Sequence, residues 1–185
     1  MSTKVKIMDV TLRDGMHAVS HKLTPDQMAN LAAQIDQTGV DSIEFGHGNG
    51  LGGSSFQYGF AAARDIDYIK AVSSAVKNTK LGIIIIPGIG TRYELEAARK
   101  NGINIARFAT QITEANIAEE HIKMAKDLGF EPRAVLTCAS VISVADTVYQ
   151  AKLMESYGAE AVILCDGGGY MLPFQVRERI AAMKD

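Results

Sequence analysis

An α/β fold built on a parallel sheet is what this 185-residue sequence predicts, and three observations predict it. Short runs rich in Val and Ile alternate with longer stretches of helical period along the whole chain, an order that implies right-handed βαβ units. Several of the short runs are apolar throughout, Ile83-Ile84-Ile85-Ile86 most plainly, as strands buried on both faces of a parallel sheet must be. The longer stretches carry start and stop signals, with polar caps at one end and glycines at the other. Periodicity leaves two architectures open: a barrel short of its last units, or an open doubly wound sheet of about six strands. In both, ligands bind where strands end and helices begin.

In chain order, strands are expected at Val5–Leu12, Ser42–Gly46, Leu81–Ile86, Ile103–Ala109, Arg133–Cys138 and Ala161–Cys165. After the first, Thr24-Pro25-Asp26-Gln27 reads as an N-cap, a proline at the first helical position and a capping-box glutamine. Met28, Leu31, Ala32 and Ile35 then share a face, and Gly39 supplies the stop. A second helix carries Ile66, Ile69, Val72 and Val76 as core positions. Thr91-Arg92-Tyr93-Glu94 opens a third, which ends at Gly102. A fourth begins at Thr113, repeats through Ile117, His121, Met124 and Leu128, and ends before Gly129. Ser143 opens a fifth, with Val144, Val148, Ala151 and Met154 on one face before Gly158. No linker or low-complexity segment interrupts this order, so residues 1–185 read as one domain.

Composition narrows the function classes. The chain is 47% hydrophobic and 22% charged, with 19 basic and 21 acidic side chains and a formal charge of −2. That balance suits an ordinary soluble globular protein and gives no general electrostatic grip on nucleic acid. No apolar run approaches the ~20 residues of a membrane span, and the N-terminus lacks a signal-peptide core. Cys138 and Cys165 are too few for a disulfide framework and read as small core residues in a reducing compartment. The cytoplasm is the expected location.

Candidate chemistry gathers at the strand ends. Leu12-Arg13-Asp14-Gly15-Met16-His17 places a guanidinium, a carboxylate and an imidazole in one short segment. Neighbours on a regular strand face opposite ways, so Arg13 and Asp14 can converge only where the backbone turns, and Gly15 permits a turn. Asp14 offers oxygen to a hard divalent cation, Arg13 offers forked donors to an anion or enolate, and His17 offers a base near neutral pH. The alternative is an Arg–Asp salt bridge beside a surface histidine. The second strand runs into Glu44-Phe45-Gly46-His47-Gly48 and the loop Asn49-Gly50-Leu51-Gly52-Gly53-Ser54-Ser55, which reads as an anion cradle of backbone N–H groups or as a flexible lid. Pro87-Gly88-Ile89-Gly90 and Asp166-Gly167-Gly168-Gly169 end the third and sixth strands. Each is either a ligand-facing loop or a tight turn, and Asp166 is either a second carboxylate for a metal or a turn residue. Among the histidines, Asp14, His17 and His21 could form a metal cage, while His121 reads as a satisfied core histidine.

Asp9-Val10-Thr11-Leu12-Arg13-Asp14-Gly15-Met16-His17 resembles the opening motif of the metal-dependent carbon–carbon lyases and synthases that share a TIM barrel with HMG-CoA lyase and isopropylmalate synthase. Within that superfamily the sequence is most similar to the 4-hydroxy-2-oxovalerate aldolases, through Asp41-Ser42-Ile43-Glu44 with His47-Gly48, Gly53-Ser54-Ser55-Phe56 with Tyr58-Gly59-Phe60, Pro87-Gly88-Ile89-Gly90 and Leu153-Met154-Glu155-Ser156-Tyr157-Gly158-Ala159. The resemblance runs through essentially the whole chain. It implies a TIM (β/α)8-type barrel and retro-aldol cleavage of 4-hydroxy-2-oxopentanoate to pyruvate and acetaldehyde. It makes Asp14 a ligand of a divalent metal, most often Mn2+, Arg13 the group that steadies the enolate, and His17 the catalytic base. Arg13, Asp14 and Gly167 would touch the substrate, and an acylating acetaldehyde dehydrogenase would be the protein partner.

Three departures accompany the resemblance. The family takes further metal ligands from an H-x-H pair on its seventh strand, and no H-x-H occurs in these 185 residues. Its substrate-side tyrosine and its dehydrogenase-docking helices would also fall beyond Asp185. Where the family reads Asp-Ser-Gly-Gly, Asp166 is followed by Gly167. The expectation is therefore a barrel with about six βα units, cut before strands 7 and 8, since a complete one needs about 250 residues, with its activity impaired in this chain alone. Two other readings stay open: a non-catalytic six-strand binding scaffold or subunit, and an acyl-CoA-dependent 2-oxo acid synthase of the same superfamily.

Overall fold

Residues 5–184 are described by a computed structural model. Its strands are β1 (Met8–Asp9), β2 (Ser42–Glu44), β3 (Lys80–Ile85), β4 (Ile105–Gln111), β5 (Glu131–Thr137) and β6 (Ala161–Leu164). The helices are α1 (Thr11–Asp14), α2 (Pro25–Asp36), α3 (Asp65–Ala75), α4 (Arg92–Lys100), α5 (Glu119–Asp127), α6 (Val144–Tyr157) and α7 (Pro173–Ala182). All six strands are parallel and pair in chain order, β1-β2-β3-β4-β5-β6. A doubly wound sheet reverses its strand order at a switch point, and no reversal occurs here. The architecture is a partial TIM barrel, a curled six-strand sheet with its helices outside.

The predicted strands appear within one or two residues, except the first. Val5–Leu12 was expected as one strand, but only Met8 and Asp9 pair with β2, through Ser42 and Ile43. The Asp9 carboxylate accepts bonds from the Thr11 N–H at 2.9 Å and from its hydroxyl. The Val10 carbonyl then takes the N–H groups of Arg13 and Asp14. These contacts start a helical turn where extended chain was expected. Gly15 is not the pivot, since it lies in ordinary right-handed helical space at φ −62°.

Other segments follow their signals. Thr24 and Gln27 form the reciprocal capping box at the start of α2, and the Ser143 hydroxyl accepts the Asp146 N–H at the start of α6, which ends on left-handed Gly158. The helix expected from Thr113 begins instead as 3-10 turns over Ile112–Ala118, with a kink at Glu114, before α5 takes over. That kink rotates the buried face to Ala118, Ile122 and Ala125 and leaves Ile117 half exposed. Leu31 also sits nearer the surface than its period suggested. Among the described residues no helix is long and apolar enough to cross a membrane.

One carboxylate ties α2 to the sheet. Asp36 is buried and accepts the N–H groups of Lys77, Asn78 and Thr79 in the turn before β3. Burial pushes its carboxyl up, but the Thr79 side chain and those N–H groups outweigh burial and bring it down to about 2.

Candidate active site

The helical turn after β1 does what the sequence left to Gly15, bringing Arg13 and Asp14 to one place. Arg13 donates from Nε to Glu44 Oε1 at 2.8 Å and from Nη1 to Asp14 Oδ1 at 2.7 Å. Glu44, at the end of β2, is fully buried, and its other oxygen takes Arg107 Nη1 from β4 at 2.7 Å. Two guanidiniums thus share one buried carboxylate, each largely covered itself. Buried charge persists only when paired and hydrogen-bonded, so this trio fixes where Arg13 points. Asp14 is the exposed member, with 66% of its side chain open to solvent.

These groups open on a cavity of about 580 Å3 at the C-terminal ends of the strands, with Arg13, Asp14, His17, Arg107, Thr137 and Asp166 on its wall. The end of the barrel that both architectures nominated is therefore where the charged groups meet. His17 is exposed at this mouth and its ring lies against Gly48. The salt-bridge alternative for Arg13 and Asp14 holds as geometry, yet the pair sits on the cavity wall beside His17.

The glycine-dense loop is not an anion cradle, because its backbone N–H groups are taken up by hydrogen bonds within the fold. Every N–H from residue 48 to residue 53 is already used. Gly48 donates to His21 Nδ1, Asn49 to His47 Nδ1, Gly50 to the His47 carbonyl, Leu51 to the Ile84 carbonyl, Gly52 to Asp65 Oδ2 and Gly53 to the Gly50 carbonyl. The glycines instead let backbone approach other groups closely. A Cβ on Gly48 would lie 2.6 Å from the His17 ring, one on Gly53 2.6 Å from His47 Nδ1, and one on Gly50, which has φ +84°, would strike the Ile84 carbonyl.

His21 and His47 stack with ring centroids 3.7 Å apart, and His17 meets His21 edge-on at 5.1 Å. Burial, then the neighbouring His47 and His17, lower the His21 pKa against the opposing bond to the Tyr58 backbone. Burial likewise lowers His47, outweighing its bond to the Gly59 carbonyl and the nearby Asp65. Both shifts favour the neutral form of the ring. With its nitrogens engaged by backbone, His21 is not available as a metal ligand. Among the described residues no three His, Cys, Asp or Glu side chains come together as a cage, which corrects the Asp14–His17–His21 reading.

At the sixth strand end, Asp166 is the turn residue. Its Oδ2 accepts the Met171 N–H at 2.7 Å and its backbone carbonyl the Gly169 N–H, while Oδ1 is buried without a partner. Gly167 is exposed with nothing within 4 Å of a Cβ built on it. It is next to Asp166 on the rim but off the cavity wall. Pro87-Gly88-Ile89-Gly90 is a tight turn closed by the Ile89 N–H on the Ile86 carbonyl. His121 is partly buried against Phe108 and its Nδ1 has no partner, so it is not the satisfied core histidine expected.

Glu44 and Arg107 were missed as site residues. The signal was available: a charge inside a run that must be buried on both faces requires an opposite charge on a neighbouring strand, and Glu44 and Arg107 satisfied that requirement for each other.

Comparison with known proteins gives the family and the fold. A family model described as HMGL-like matches residues 4–185. A 4-hydroxy-2-oxovalerate aldolase of Desulfitobacterium hafniense is 65% identical over 98% of this chain and 54% of its own length. One of Carboxydothermus hydrogenoformans is 54% identical over 100% of this chain and 55% of its own. The chain thus spans about half the length of the curated relatives it matches. Among solved structures, the carboxyl transferase domain of Rhizobium etli pyruvate carboxylase shares the fold with a TM-score of 0.80 at 14% identity, over 99% of this chain and 34% of that one.

Proposed function

The chain belongs to the HMGL-like family, and from that premise we propose that it carries the acid–base part of a 4-hydroxy-2-oxovalerate aldolase site. The reaction is retro-aldol cleavage of 4-hydroxy-2-oxopentanoate to pyruvate and acetaldehyde. The observation that carries this reading is the convergence of Arg13, Asp14 and His17 on the strand-end cavity, with Arg13 anchored by buried Glu44. His17 takes the proton of the 4-hydroxyl. The C3–C4 bond breaks, acetaldehyde leaves, and the electron pair forms the C2–C3 double bond with the negative charge on the 2-oxo oxygen. Arg13 faces that oxygen and steadies the enolate, a role worth about 10²–10³ in rate for a well-placed donor. Protonated His17 then returns its proton to C3, giving pyruvate. Gly167, on the rim, lies beside the substrate carboxylate.

A divalent metal, Mn2+ by the resemblance, does not fit these residues as a complete site. Asp14 brings one exposed carboxylate whose Oδ1 is already tied to Arg13, and among the described residues no group of three His, Cys, Asp or Glu side chains forms that could complete a site around it. Hard divalent ions such as Mn2+ want about six ligands, so Asp14 alone holds one loosely. We place the protein in the cytoplasm, as one HMG-CoA lyase-like domain, with an acylating acetaldehyde dehydrogenase as the partner of the complete assembly.

The test is pyruvate release from 4-hydroxy-2-oxopentanoate with Mn2+, by the chain alone and mixed with the segment of the Desulfitobacterium hafniense relative that follows its matched region. Little turnover alone and clear turnover in the mixture are expected. No turnover in either, with the mixture assembled, would leave a non-catalytic scaffold. Turnover that demands an acyl-CoA would place the chain among the synthases.

A further inference from the structure

We propose that His21 is a positioning residue for His17, its ring, stacked on His47, holding the base edge-on against Gly48 at the cavity mouth. The inference rests on His17 being the base of the proposed reaction and adds a second and third histidine that the reaction scheme does not use.

Three features of the trio belong together. First, the two inner rings are locked by backbone. His21 Nδ1 accepts the Gly48 N–H at 3.3 Å and the ring also bonds the Tyr58 backbone. His47 Nδ1 accepts the Asn49 N–H at 3.1 Å, and its Nε2 meets the Gly59 carbonyl at 3.0 Å. An acceptor Nδ1 fixes the proton on Nε2 in each ring. Second, His17 has no hydrogen bond to either ring nitrogen among the described residues, so its orientation comes from contact alone: Gly48 beneath it and the His21 ring at 5.1 Å and 72°. A base held by contact keeps both nitrogens available for a substrate proton. Third, the chain accepts strain to put His21 there. Ser20 and His21 are two of the three non-glycine residues with positive φ among those described, at 50° and 60°, a conformation that side chains with a Cβ rarely adopt. The left-handed pair turns the His21 ring inward onto His47, where 6% of the residue remains exposed. Strain of this kind is retained where surrounding contacts over-determine it.

Two variants separate ring contact from backbone bonding. His21→Phe keeps an aromatic ring between His17 and His47 and loses both ring bonds. His21→Asn keeps an acceptor and a donor for Gly48 and Tyr58, tolerates positive φ, and loses the ring. Isotope-edited NMR of the metal-free 185-residue chain reads the nuclear Overhauser contact between the His17 ring protons and the Gly48 α-protons, with no substrate needed. We expect that contact in the wild type and in His21→Phe, and at least a threefold loss in His21→Asn. The reverse pattern, loss with Phe and retention with Asn, would assign His21 to holding the loop and overturn the proposal. Should His21→Phe fail to fold, Gly48→Ala decides. Gly48 lies outside the positive-φ set, so its backbone accepts alanine, and the added Cβ should push the His17 ring away while the His21 and His47 Nε2–H signals stay in place. An unmoved His17 ring would contradict the arrangement. None of these readouts depends on aldolase activity, so they separate this inference from the assignment of the reaction.

Discussion

β2 and β6 invert the usual expectation about which sequence goes inside. β2 is Ser42-Ile43-Glu44, two-thirds polar, and all three residues are buried; β6 is Ala161-Val162-Ile163-Leu164, wholly apolar, and none of its residues is buried. The difference is in their neighbours. β2 lies between β1 and β3 with Arg13 and Arg107 closing on Glu44, whereas among the described residues β6 pairs with β5 alone. Burial in a parallel sheet is thus a property of position, and a charged strand is stable between two neighbours when its charge is matched. The charged groups follow the same division: Arg13, Asp14, Glu44 and Arg107 are interlocked at the β1–β2 end, while Asp166 and Gly167 at the β6 end sit on a thinly covered rim.

The largest expected effect breaks the matched charge. Glu44→Ala leaves two guanidiniums buried without their carboxylate and should cost about 3–5 kcal/mol of unfolding free energy. Asp166→Asn keeps an acceptor for the Met171 N–H and should cost under about 1 kcal/mol. Urea unfolding of both variants checks the contrast, and equal losses would show that the two ends are equally built. A glycine pair sharpens the comparison at smaller scale. Gly50→Ala meets both a positive φ and the Ile84 carbonyl and should cost about 2–4 kcal/mol. Gly167→Ala meets nothing and should stay within about 0.5 kcal/mol.

The smallest effect is the pH dependence of the interlocked end. His21 and His47 have pKa values lowered from 6.5 in the folded chain. Above that value both states are neutral and their contribution is fully present. As pH falls below 6.5, the unfolded chain takes up protons that the folded one refuses, and stability drops. The urea midpoint should therefore decline between about pH 7.5 and 5.5, less steeply in His21→Asn. Asp36 adds a second loss at lower pH, between 3.8 and about 2, where its unfolded form protonates first.

Much of this was legible in the residues. Apolar runs, caps and glycine stops located five of the six strands and helices α2 to α6, because each is a local rule, while α7 was not read from the sequence. The end of the expected Val5–Leu12 strand was misread because a helical turn is started there by the Asp9 side chain, a contact that outranks the β-branched pattern of Val5 to Thr11. The glycine loop was misread for a related reason: glycine reports that something comes close, and only the fold reveals that the partners are imidazoles and carbonyls. Arg13, Asp14 and His17 were candidates from their chemistry, and the structure adds that all three line one cavity. Glu44 and Arg107 went unnoticed because their meaning is a pairing between strands 63 residues apart.

The central claim, that the β1–β2 end holds the working acid–base groups, is tested most directly by His17→Asn in the mixture with the segment from the Desulfitobacterium hafniense relative. Pyruvate release should fall by about 10²-fold or more, the contribution of a positioned general base, with the circular dichroism of the chain unchanged. Turnover within twofold of the unsubstituted chain would contradict the account.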